Sequence, residues 1–202
     1  LRVDRSNLSP KFFNSAYLLG PDGSDVGRYD KIHLVPFGEY VPLGTLLFFV
    51  KKIVPILGAT VPGEEAKVFH IPGGSFGVLI CFEAIFPRVV RQFKSAQFLV
   101  NITNDAWYGD TAASEQHLSM VTLRAVEHRV PIVRAANTGI SAIIDARGAI
   151  LRRSPLFRPW HHLDSIAPRT RSLTLYAKMG DVFAFTCALI VLFAISAVWR
   201  RS

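Results

Sequence analysis

Two stretches of this chain carry side chains able to do covalent chemistry. In residues 78–86 (VLICFEAIF) an apolar run ends on Cys81, and Glu83 follows two positions later. In residues 29–42 (YDKIHLVPFGEYVP) Lys31 and Glu39 stand in a loop punctuated by proline and glycine. A cysteine at the C-terminal end of a buried strand, where the chain turns toward a helix, sits where α/β folds display nucleophiles. Its thiol gains reactivity when nearby positive charge or a base favours the thiolate, and Lys31 and a carboxylate are the kinds of group available. Each of these residues alone reads as structural: a strand cysteine, a surface lysine, a turn glutamate. Together, in these neighbourhoods, they read as a nucleophilic site.

The elements that must position them alternate in type. Residues 14–19 and a segment toward Tyr29 form strands about a Pro-Asp-Gly turn at 21–23. Residues 68–71 and 76–82 form a hairpin around Pro-Gly-Gly, its second strand buried. A helix over 86–96 starts near Pro87, a residue favoured at the first helical position. Residues 98–103 (FLVNIT) are a buried strand. Residues 112–129 have a helical period, with Leu118, Val121, Ala125 and Val126 along one side and Pro131 beyond the end. Strands at 132–136, 141–145 and 150–152 complete a layered α/β domain with a central sheet.

Composition narrows the class. The 202 residues include 23 Lys+Arg against 15 Asp+Glu, a formal charge of +8, and half are apolar, which excludes a disordered chain. The two cysteines, Cys81 and Cys187, have no CxxC or histidine cluster beside them, which excludes a disulfide scaffold and a zinc finger. The mean hydropathy of +0.30 is high. Much of it comes from residues 182–199 (VFAFTCALIVLFAISAVW), where only Thr186 and Ser196 lie outside the apolar set. A helix of that length spans roughly 27 Å, close to the hydrocarbon thickness of a bilayer. Trp199, Arg200 and Arg201 follow as interfacial and cytoplasmic residues. The reading is a catalytic domain over 1–178, a membrane helix over 181–199 and a cytoplasmic tail over 200–202. The chain opens without Met or an export signal, so a translocated body implies a chain incomplete at its N-terminus.

Four motifs in order, YDKIHLVPFGEYVP, ICFE, NITNDAWYG (101–109) and AANTGISAIIDARG (135–148), resemble the nitrilase (carbon–nitrogen hydrolase) superfamily. The HLVPFGEYVP form and the terminal apolar helix are similar, within it, to the apolipoprotein N-acyltransferases. The resemblance implies an αββα sandwich and a Glu–Lys–Cys triad. Cys81 matches the nucleophile and Lys31 the triad lysine; Glu39 matches a second glutamate beside the lysine, and Glu83 the glutamate after the nucleophile. Phe82 stands where the family often has Tyr. The family's general-base Glu falls upstream of Leu1, and Asp4 is no substitute for it. The implied reaction is a two-step acyl transfer, from a phospholipid donor through a Cys81 thioester to the N-terminal diacylglyceryl-cysteine of an apolipoprotein acceptor. Lys31 and the backbone N–H of Phe82 serve the oxyanion. No metal or diffusible cofactor is called for. The setting is the bacterial inner membrane, with the body periplasmic and the C-terminus cytoplasmic.

Two features fit a lipid substrate independently. Residues 43–57 (LGTLLFFVKKIVPIL) carry apolar residues at helical spacing, with Leu47, Phe48 and Phe49 making the segment apolar beyond one stripe; this reads as a lid dipping into the bilayer interface, or else as a core helix. Residues 147–171 hold six Arg and one Asp, suited to anionic headgroups or merely to solvent. Trp107 reads as a packing or pocket-wall residue, and His33, His117 and His128 as structural. Two alternatives remain: a membrane-anchored amidase, and a non-catalytic module lacking its base. A nucleic-acid partner is disfavoured, because the basic residues do not interleave with aromatics and no reading motif is present.

Overall fold

A computed structural model describes residues 2–4, 11–40, 42, 60–170 and 172–200. Three β-layers of unequal size appear in it. Short strands β1 (Arg2–Asp4) and β2 (Lys11–Phe13) pair with each other, as do β3 (Ser15–Leu19) and β4 (Asp25–Asp30). The main sheet contains β5 (Val68–Ile71), β6 (Gly74–Ile80), β7 (Phe98–Asn104), β8 (Ile132–Asn137), β9 (Ala142–Ile144) and β10 (Ile150–Arg153), in the spatial order β10-β9-β8-β7-β6-β5. Its centre, β6-β7-β8, is parallel, and the flanking pairings are antiparallel. The parallel strands are the near-continuous apolar runs read from the sequence, as burial on both faces demands. Leu79, Leu99 and Ile132 are fully buried there.

Crossovers between the parallel strands are helical. The first contains α1 (Pro87–Val90), opened by proline, which then tightens into a 3-10 turn at Arg91–Phe93. The single helix expected over 86–96 is therefore broken, and the tightening lays the Phe93 ring on Gly77, where a Cβ would stand 2.3 Å from that ring. The second crossover is α2 (Ala113–His128), closed by Arg129 in the left-handed conformation (φ 50°) ahead of Pro131. Leu118, Val121 and Ala125 are buried as their period requires, but Val126, one residue round the helix, is exposed. The β3–β4 hairpin packs on β5 through Gly27, which lies against the Phe69 ring.

After β10, itself paired to α2 through Arg153, the chain runs as an irregular strap tied down at Asp164 and Arg169. Arg153 pairs with Glu115 at 2.5 Å, Arg152 with Asp164 at 3.4 Å, and Arg169 donates to the Lys94 carbonyl. Thr174 then caps α3 (Leu175–Met179) by accepting the Ala177 N–H, and its hydroxyl donates to the Glu127 carbonyl. Gly180 takes a left-handed φ of 66°, with the Arg91 guanidinium so close that a Cβ would stand 1.9 Å from Nη1. α4 (Val182–Trp199) follows, 18 residues with none buried and a mean hydropathy of 2.5. Its two polar side chains bond within the helix: Thr186 Oγ1 to the Val182 carbonyl and Ser196 Oγ to that of Phe193, both at 2.8 Å. Such a helix meets the backbone-satisfaction demand of lipid by itself. The segment read as a lid, with Leu47, Phe48 and Phe49, lies outside the described residues, as does Arg201.

Candidate active site

Strand β6 ends one residue before Cys81 because Cys81 adopts φ 55° and the chain coils as a 3-10 turn over Cys81–Ile85. The strand expected to reach residue 82 stops there for that reason: a left-handed non-glycine residue breaks the ladder. Backbone conformations of this kind cost of order 1–3 kcal/mol and persist where surrounding contacts over-determine them. Here the contacts come from Glu83, which is fully buried. Its Oε2 accepts the Ile80 N–H at 2.8 Å, while Oε1 accepts the Tyr29 hydroxyl at 2.9 Å and the N–H groups of Ile32 and His33 at 2.8 and 3.0 Å. Burial raises the Glu83 carboxyl above its ordinary range, against the pull of those four donors.

One carboxylate thus staples the residue before Cys81 to the two residues after Lys31. Lys31 is itself buried, and its Nζ donates to Glu39 Oε2 at 2.7 Å. Glu39 also accepts the Val35 N–H at 2.8 Å and the Asn14 amide at 3.0 Å. Burial works to raise the Glu39 carboxyl, but Lys31, Asn14 and Val35 outweigh it and hold the group below its usual value. Lys31 is anchored at its backbone too, donating to the Asn14 carbonyl and accepting from Gly63, both at 2.8 Å. The arrangement ties the loop of a fixed buried ammonium to the turn of a left-handed cysteine at the C-terminal edge of a parallel sheet, the edge where open α/β sheets bind ligands.

Behind Cys81 lies a second polar group that sequence reading left unassigned. Asn101 donates to the carbonyls of Leu79 and Cys81, Arg134 to Asn101 Oδ1 and Asp105 Oδ2, and His117 Nδ1 lies 3.2 Å from Asp105 Oδ1. Tyr108 completes it: burial, and the charges of Cys81 and Asp105, push its hydroxyl up to about 12. Among the described residues no group of three His, Cys, Asp or Glu is arranged to hold a metal.

Residues 3–159 match the sequence model of the carbon-nitrogen hydrolase family. The chain belongs to that family. Within it, the chain is similar to apolipoprotein N-acyltransferase of Geobacter metallireducens, 50% identical over 179 residues covering 88% of this chain and 34% of that protein. It is similar as well to the enzymes of the same name from Rhizobium meliloti (39% over 206 residues, 96% of this chain, 37% of that one) and Haemophilus ducreyi (37% over 194 residues, 91% and 38%). The chain therefore spans about a third of the length of these curated relatives. In fold it is similar to an amidase from Nesterenkonia sp. (TM-score 0.54, 22% identity, 72% of this chain and 52% of that one). It is similar also to glutamine-dependent NAD+ synthetase from Acinetobacter baumannii (TM-score 0.60, 20% identity, 77% and 28%). These likenesses carry the nitrilase-like α/β fold.

Against this carbon–nitrogen hydrolase frame, Lys31 and Glu39 form one ion pair, and Glu83 ties the loop after Lys31 to Ile80, the residue before Cys81. Phe82 packs beside them, 6.3 Å from the Phe86 ring and 5.6 Å from His117. Trp107 does not pack as expected: it is 87% exposed, because Tyr108 takes the inner place in the tight turn Ala106–Tyr108. Tyr29, Asn101, Asp105 and Arg134 were missed. Tyr29 lies within YDKIHLVPFGEYVP and Asn101 and Asp105 within NITNDAWYG, signals for the neighbourhood but not for the bonds; Arg134 carried no signal beyond its strand.

Proposed function

We propose that this chain forms the acyl-transferring part of a lipoprotein N-acyltransferase. The observation that carries the reading is the Glu83 staple, which joins the Cys81 turn to the Lys31 loop in a chain similar to enzymes of that name. The Cys81 thiolate attacks the ester carbonyl of a phospholipid. The carbon–oxygen bond breaks, the leaving alkoxide takes a proton, and a thioester and a lysophospholipid result. The α-amino nitrogen of a diacylglyceryl-cysteine then attacks the thioester, the carbon–sulfur bond breaks, the nitrogen gives up a proton to the base, and an amide and the free Cys81 thiolate result. The Lys31 ammonium, held by Glu39, and the Phe82 N–H stabilise the oxyanion of both tetrahedral intermediates. A general base carries the proton in both steps, and the family resemblance implies a Glu for that role.

Glu39 and Glu83 act as supports in this scheme, since their oxygens are occupied by donors. Exposed Trp107 and Phe37, on loops at the Cys81 edge of the sheet, suit an apolar substrate. The strongly apolar α4 spans the bacterial inner membrane, with the body in the periplasm and Arg200 on the cytoplasmic side. In the full-length parent, labelled phospholipid should leave label on the protein as a hydroxylamine-labile thioester, and Cys81→Ala should abolish it. Label retained on Cys81→Ala sinks the nucleophile. Rapid hydrolysis of small amides, with no transfer to a lipopeptide amine, favours a membrane-anchored amidase instead.

A further inference from the structure

A row of polar residues crosses the middle of the parallel sheet, where apolar residues are the norm. Strand register pairs Leu79 with Asn101 and Asn101 with Arg134, so the three side chains stand abreast on one face. Asn101 and Arg134 are both buried. A buried guanidinium is costly, and replacing a buried charge group by apolar residues of similar volume is often neutral or stabilising. Stability alone leaves the row unexplained.

Its bonds run in one direction. Asp105 accepts from Thr103 Oγ1 at 2.9 Å and faces His117 Nδ1 at 3.2 Å, and Gly139 presses on it so closely that a Cβ there would stand 2.3 Å from Oδ2. Asp105 Oδ2 then receives Arg134 Nη2 at 2.6 Å, and Arg134 Nε donates to the Ile140 carbonyl at 3.0 Å. The remaining arm of the guanidinium donates to Asn101 Oδ1. That bond leaves the Asn101 NH2 facing β6, where it donates to the Leu79 carbonyl at 3.0 Å and the Cys81 carbonyl at 3.4 Å. The chain of donors ends on the residue with the left-handed φ.

We propose that Arg134 is a positioning residue for Cys81: acting through Asn101, it holds the Cys81 carbonyl and with it the strained turn that aims the thiol. This rests on the reading of Cys81 as the nucleophile. It explains why two polar side chains occupy the sheet interior, and why the strain at Cys81 survives without a glycine. Charge on Cys81 also acts on the Arg134 guanidinium, so the two groups are near enough to couple.

The test uses the membrane-embedded full-length parent. Asn101→Asp keeps an oxygen for Arg134 but removes the NH2 that faces β6; Arg134→Lys keeps the charge and loses the fork, and Arg134→Met loses both. The readouts are kcat and KM for lipopeptide acylation, the rate of Cys81 alkylation by iodoacetamide, and Tm. Asn101→Asp should lower kcat about 10- to 100-fold, with KM for phospholipid unchanged and alkylation slowed in parallel, the scale expected of a misplaced reacting group. Arg134→Lys should recover part of what Arg134→Met loses. A folded Asn101→Asp with wild-type kcat and alkylation rate overturns the proposal. Should that variant not fold, Arg134→Lys decides on the same readouts. If Cys81→Ala keeps full acylation while the variants still slow alkylation, the nucleophile reading fails and the Arg134–Cys81 coupling stands.

Discussion

Glu83 Oε1 lies 2.8 Å from the backbone N–H of Ile32, so the neighbour of Lys31 is fixed to the Cys81 turn across 51 positions of chain. No side chain of the ammonium or thiol is involved. The two groups are registered through backbone, which is stiffer than a long lysine stem.

Replacing Glu83 by Gln puts an NH2 against at least one of the four donors that now point at the carboxylate. The expected loss is about 1–3 kcal/mol of unfolding free energy, the scale of an unsatisfied buried donor. Urea denaturation measures it, and Cys81 alkylation should slow in the same variant. A Glu83→Gln protein with unchanged stability and unchanged Cys81 reactivity would show that the staple is dispensable.

Lys31→Ala should slow the acylation half-reaction by on the order of 10²-fold, the typical loss for one oxyanion donor. Glu39→Gln should cost less, because the ammonium remains while its anchor weakens. The Glu39 carboxyl lies below its usual 4.5 when folded, so its contribution is present above that pH and fades as pH falls through the folded value. Tm of wild type and Glu39→Gln should therefore converge in acid; a constant gap would contradict the pairing.

His128 supplies a pH dependence of opposite origin. Burial, with Arg124, Arg169 and Arg91 around it and the Tyr176 ring at 6.3 Å, pushes its imidazole down from 6.5 to about 4. The unfolded chain takes up a proton near pH 6.5 and the folded one resists until about 4, so stability falls as pH drops through that window. The loss reaches roughly 3 kcal/mol. Thermal unfolding from pH 7 to pH 4 should show it, and His128→Gln should flatten the curve.

For α4 the measurement is insertion of residues 182–199, placed in a glycosylation reporter of translocon insertion. The native segment should insert, and Leu189→Arg should raise the apparent insertion free energy by about 3 kcal/mol. A native segment that fails to insert is a body helix instead.

Periodicity and turn chemistry made most of the frame readable. Residues 182–199 were legible as a helix because an unbroken apolar run bounded by Asp181 and Arg200 admits few other solutions. Pro131 beyond α2 marked its end as plainly. The β6 boundary was misjudged by two residues because nothing in VLICFE announces a left-handed cysteine; the cause is Glu83 reaching Ile32 and His33, a contact between distant segments. The Asn101–Arg134 row was invisible for the same reason. Each residue sits singly in an apolar strand, and only the pairing of β7 with β8 makes them neighbours. Local patterns record which face a residue occupies, whereas tertiary register decides whom it meets there.

The seat of Arg91 on Gly180 has a mechanical consequence. Where the polar body meets the apolar helix, the bearing surface on the helix side is bare backbone, and a single methyl added there would lift the guanidinium away. Arg91 follows directly on α1, and α1 on the Cys81 turn. In the proposed membrane setting, the standoff between the thiol and the lipid surface is thus gauged by a short path of peptide and one arginine side chain seated on bare backbone. Lengthening that path by one residue would detune the reach of the site while leaving every group within it in place.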